Sequence, residues 1–154
     1  MTKRLASFCS FCFVALAAGC GTSDSGSTTI DNGTLAGMVY GQPWSFQAGG
    51  TDAFLSANDD NFFATFYASA FTCGSQPTGP SLIVAVPKVP GDYPMSLMRN
   101  MTFVMGSDNK VAVDGRVVVD SVTATTVTGG LVGMFDDQNT VSGHFTLTVC
   151  PATN

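Results

Sequence analysis

A period of two in the side chains constrains this chain more than any other feature. In "FFATFYASAF", residues 62–71, Phe62, Ala64, Phe66 and Ala68 share one side, while Phe63, Tyr67 and Phe71 share the other. Near the end, Phe145, Leu147 and Val149 alternate with Thr146 and Thr148. Trp44, Phe46 and Ala48 alternate in the same way with Ser45 and Gln47. Extended backbone points successive side chains to opposite faces, so each run reads as a strand. "SLIVAVP" adds an apolar strand that Pro87 stops. The runs are separated by turn residues: Gly41-Gln42-Pro43, "NDDN" at 58–61, "GSQPTGP" at 74–80 and "KVPGDYP" at 88–94. Asp114-Gly115 is a hairpin signal. "FDDQNTVSGHFTLTVC" closes the chain as a further hairpin.

The prediction is an all-β fold: a single antiparallel β-barrel or β-sandwich of roughly eight to ten short strands. The one helical turn predicted lies near Met95 to Asn100. Composition agrees. Of 154 residues only 11% are charged, every acid is Asp, and no Glu occurs. Glu and Lys favour helices, whereas the plentiful Val, Thr and Phe favour strands.

The first residues follow a different logic. "MTKR" is basic, "LASFCSFCFVALAAG" from Leu5 to Gly19 is uncharged and apolar, and Cys20 follows. That is the layout of a secretory signal. The apolar run falls short of the about 20 residues that a membrane-spanning helix needs. "LAAGC" resembles the lipobox of bacterial lipoproteins, with Ala17 where Leu is commoner. The resemblance implies cleavage before Cys20, lipid on its thiol and attachment to a membrane. Gly21 after the cysteine, by similarity to enterobacterial sorting rules, implies the outer membrane. The expected organisation is a signal over 1–19, a lipidated Cys20 with a flexible Ser/Gly/Thr tether over 20–33, and a β-domain over 34–154.

That reading settles the cysteines. Of five, Cys9 and Cys12 fall in the removed segment and Cys20 takes lipid, which leaves Cys73 and Cys150. Two thiols of an exported chain most simply form a disulfide. The remaining domain also resembles small β-rich lipoproteins of myxobacteria, through "GMVYGQPWSF", "GDYPMSL" and "VSGHFTLTVC". This resemblance implies a secreted β-fold and carries no activity with it.

Charge excludes some functions. The formal net charge is −5, and losing Lys3 and Arg4 leaves eleven Asp against four bases, or −7. No basic patch remains for nucleic acid, and charge alone does not hold the chain to an anionic lipid surface.

Catalytic chemistry finds little support. His144 is the one histidine, and it sits in a predicted strand. "SDSG" at 23–26 lies in the tether, where nothing orients a nucleophile. The acid pairs Asp59-Asp60 and Asp136-Asp137 are each followed by Asn, directly or one residue on, which is turn chemistry. They lack the spacing of a calcium loop and the separation of glycosidase acids.

Met95, Met98 and Met101, with Met105 beyond, have the spacing of soft copper ligands. Core packing explains them at lower cost. Met95, Leu97, Met101, Phe103 and Met105 share parity and form one apolar face broken by a turn near Arg99-Asn100.

No cofactor and no catalytic residue is expected. The expected function is a membrane-anchored envelope lipoprotein that acts as a non-enzymatic binding or interaction module. Its partners are the membrane, through Cys20, and an apolar ligand or an envelope protein met by the aromatics of 62–71. The alternatives are a structural envelope protein without a ligand, a periplasmic copper-binding protein and a hydrolase.

Overall fold

A computed structural model describes residues 29–152. The signal segment, Cys20 and the tether as far as residue 28 lie outside the described residues. The chain forms β1 (Ala36–Val39), β2 (Gln42–Ser45), β3 (Ala48–Asp52), a one-turn helix α1 (Ala53–Ser56), β4 (Asn61–Tyr67), β5 (Ser81–Pro87) and β6 (Gly91–Pro94). It continues with β7 (Met101–Met105), β8 (Asp108–Val111), β9 (Asp114–Val122), β10 (Thr126–Asp136) and β11 (Asn139–Thr148).

Eleven strands exceed the eight to ten expected, for local reasons. The run read as one strand through Trp44, Phe46 and Ala48 breaks at residues 46–47 into β2 and β3, which find different partners. "GDYP", read as a link, pairs with β9 as β6. The helix is also elsewhere than expected. Ser96 and Arg99 exchange backbone hydrogen bonds of 3.0 and 3.1 Å across a tight turn, so 95–100 is not helical. Helix α1 instead occupies Ala53–Ser56.

The strands make one sheet in the order β6-β9-β10-β11-β3-β4-β5-β7-β8, with the β1–β2 hairpin attached to β11. The sheet curls into a half-barrel. Register shifts at Thr128/Gly129 and Met134/Asp136 add to the curl, since a bulge bends its strand and raises local twist. Between the named strands the pairing is antiparallel except at β11–β3, where Thr148 lies opposite Gly50 in parallel; the isolated Thr34–His144 bridge is parallel as well. The wholly antiparallel expectation is corrected at that junction.

Asp114-Gly115 is not a hairpin turn either. β8 pairs with β7 and β9 with β10. Between them Ala112 donates its N–H to Met101 O (2.8 Å), and Val113 donates to Met134 O (2.7 Å). The chain steps there from one side of the curl to the other.

The interior is aromatic. Phe66 meets Phe145 edge-on at 5.1 Å and Phe46 at 5.3 Å. Trp44 meets Phe103 at 5.0 Å, and Phe103 meets Phe135 at 5.4 Å. Edge-to-face pairs add about 0.5–1.5 kcal/mol each beyond the area they bury. The Trp44 indole N–H reaches the Pro80 carbonyl at 3.2 Å, which satisfies its polar end. Gly133 sits where the walls meet: a Cβ there would lie 2.9 Å from Met101 Sδ, so that side chain would have to shift. The parity read from sequence holds in β4, where Ala64 and Phe66 are buried, and in β11, where Phe145 and Leu147 are buried.

The last residues of the expected tether join the sheet. Asp31 N–H donates to Ser142 Oγ (2.9 Å), and His144 N–H donates to Gly33 O (2.8 Å). Among the described residues no helix is long and apolar enough to cross a membrane.

Candidate functional site

The outer face of β4 does not pack into the core. Phe63, Thr65 and Tyr67 stand on it, half-buried. Beyond β4 the chain returns over the same face, and Phe71 stacks on Tyr67 at 5.5 Å with 15° between the rings. Gly50 on β3 makes the stack possible, because a Cβ there would lie 2.5 Å from Phe71 Cε1. The loop is then fastened by the Cys73–Cys150 disulfide, with Cα atoms 5.5 Å apart across 77 residues of sequence. Cys150 is held in turn, its N–H donating to Thr51 Oγ1 at 3.1 Å.

Helix α1 forms the opposite wall. Asp52 caps it, Oδ1 accepting from Leu55 N–H at 2.8 Å. Ser56 is buried, and its Oγ accepts from Phe63 N–H at 3.0 Å. With both ends tied, the turn presents its apolar residues outward: Phe54 is 87% exposed and Leu55 54%. Between α1, β4 and the disulfide lies a groove of about 500 Å³, lined by Thr51, Phe54, Thr65, Tyr67, Phe71 and the cystine. Its chemistry is rings and sulfur with a few hydroxyls. Its one nearby carboxylate, Asp52, is occupied as a cap. Such a surface holds a flat apolar group by area and orients it by one or two hydrogen bonds.

The other residues singled out from sequence lie apart from this groove. His144 is exposed on β11 and, among the described residues, forms no side-chain hydrogen bond with Ser or Asp. Asp59 folds back on its own turn, Oδ1 accepting from Asn61 N–H (2.8 Å) and Nδ2–H (2.9 Å). Those bonds lower its carboxyl below the usual value. Asp136 takes Lys110 and the turn that follows it. Among the described residues no three His, Cys or Asp side chains gather as metal ligands do.

The methionines occupy three environments: Met101 is 1% exposed, Met95 packs partly against the core, and Met98 is 82% exposed at a turn. Leu97, expected on the apolar face, is 96% exposed on the same turn, because that turn breaks the alternation.

Phe71 and Tyr67 were legible as an outward aromatic face. Phe54 was missed. The available signal was "TDAF": an Asp followed by apolar residues is a helix start, here only one turn long.

The fold and groove define a β-rich domain with an external aromatic cleft. The chain matches no protein-family model, no curated protein and no solved structure.

Proposed function

We propose that the chain is a lipoprotein of the bacterial cell envelope, anchored through Cys20 at the outer membrane, whose β-domain is a non-enzymatic binding module for a small apolar ligand. The observation that carries the reading is the groove. A ring exposed as fully as Phe54, beside stacked Tyr67 and Phe71 in a concavity of ligand size, has no structural use in the free domain. A concave site favours a small ligand over a flat protein contact. The sheet supports the barrel over the sandwich form, since the Ala112–Val113 link between β8 and β9 hydrogen-bonds to both β7 and β10.

The test uses the chain begun at Thr22 and titrates it with N-phenyl-1-naphthylamine, a neutral apolar dye. Saturable binding is expected, and Phe54→Ser and Phe71→Ala each weaken it by roughly tenfold, the worth of one lost ring contact. No binding, or unchanged affinity in both variants, removes the ligand reading. Intact mass of the full chain tests the anchor: a mature mass without an acyl increment on Cys20 removes it.

A further inference from the structure

A second cleft, of about 530 Å³, opens where the β5–β6 link and the 96–99 turn meet the α1–β4 link. Four cations lie among the described residues: Lys88, Arg99, Lys110 and Arg116. Lys110 pairs with Asp136, and Arg116 pairs with Asp92. The remaining two both line this cleft. Lys88 Nζ donates to the carbonyl oxygens of Ser56 (2.5 Å) and Asp59 (2.6 Å), so it is positioned without a carboxylate partner.

Arg99 has no carboxylate partner among the described residues. Its guanidinium carbon lies 5.5 Å from the Tyr93 ring centroid, and its Nε is buried with no acceptor. The backbone behind it is fixed by the two Ser96 bonds, and Arg99 N–H also reaches Ser96 Oγ (3.2 Å). A buried donor without an acceptor has given up its hydration for nothing inside the fold. Arg99 itself lines the cleft, so its guanidinium, without a carboxylate partner among the described residues, suits an acceptor that arrives from outside.

The charge of that acceptor follows from its surroundings. Asp59 and Asp60 line the same cleft. The two carboxylates repel a phosphate dianion more strongly than a singly charged ligand, and one carboxylate matches the planar fork of a single arginine. Met98, Val89 and Tyr93 supply an apolar wall beside it.

We propose that this cleft binds a small ligand through a single carboxylate held by Arg99, with the ligand's carbon skeleton against Tyr93 and Met98. The carboxylate belongs either to a free amino acid or to the C-terminus of a peptide. The site is separate from the aromatic groove and stands independently of it.

The test is a titration of the ¹⁵N-labelled full chain in a non-ionic detergent, following the Arg99 Nε–H resonance. The probes are N-acetyl-leucine, N-acetyl-leucine amide, leucine, the tripeptide Ala-Ala-Leu and inorganic phosphate. Saturable movement with N-acetyl-leucine but not with its amide is the expected result. Arg99→Lys, which keeps the charge and loses the fork, weakens the response by roughly tenfold. A stronger response to leucine assigns the site to free amino acids, and a stronger response to Ala-Ala-Leu assigns it to peptide ends. No movement with any carboxylate, equal movement with the amide, or tighter binding of phosphate overturns the proposal.

Discussion

Asp136 gathers three donors on one carboxylate: Lys110 Nζ at 2.6 Å, Asn139 Nδ2 at 2.5 Å and Gln138 N–H at 3.0 Å. Lys110 belongs to β8, Gln138 to the β10–β11 turn, and Asn139 opens β11. Asn139 passes the link onward, its Oδ1 accepting from Tyr40 N–H at 2.6 Å. Three hairpins thus meet at one acid. The Lys110 hydrogen bond, then those of Asn139 and Gln138, hold its carboxyl well below the usual 3.8. A folded value below the unfolded one stabilises the protein above the unfolded value, and that stability is lost as pH falls through the folded one. Thermal melts from roughly pH 5 to pH 2 should therefore show a shallower fall in Tm for Asp136→Asn than for the native chain. Parallel curves would show that the pair adds nothing in solution, as many exposed pairs do.

Among the elements, β11 has the most neighbours: β10 on one side, and β1, Thr34 and β3 along the other. Gly143 lets the chain before β1 approach. Its φ is 137°, and a Cβ would lie 2.7 Å from Leu35 N. Gly143→Ala is expected to cost about 2 kcal/mol through strain and the broken contact, read as a lowered urea midpoint. An unchanged midpoint would mean that the 31–35 segment contributes little. Sequence showed the alternation of β4 and β11 because each has one face in the core along its whole length. It did not show the breaks at residues 46–47 and 112–113, because a strand that changes partners keeps its local pattern. Asp114-Gly115 misled for a related reason. A glycine required by close packing, here with Val132 O 2.4 Å from any Cβ, looks the same as one required by a turn. Helix α1 is too short to show a period at all. The outward aromatics of the groove could be read, but the wall that makes them a groove could not.

For the molecule as a whole, the disulfide is a covalent tie across the sheet, and Cys73 and Cys150 were legible from counting alone. The sheet orders most of the 77-residue loop that it closes. In the chain-entropy account the bond stabilises the fold by about 4 kcal/mol. Guanidinium unfolding of the native chain against the Cys73→Ser/Cys150→Ser double variant should show that difference. Equal stability would mean that the thiols are free. The parallel contact of β11 with β3 has a consequence in time. The strand that bridges the two halves of the sheet is the last of the described strands in chain order, and its partners β1 and β3 are among the first three. No shorter nascent chain can close the curl, so a ribosome-bound chain stays open until β11 is free. Assembly is a single late event, and the groove exists only once that event is complete.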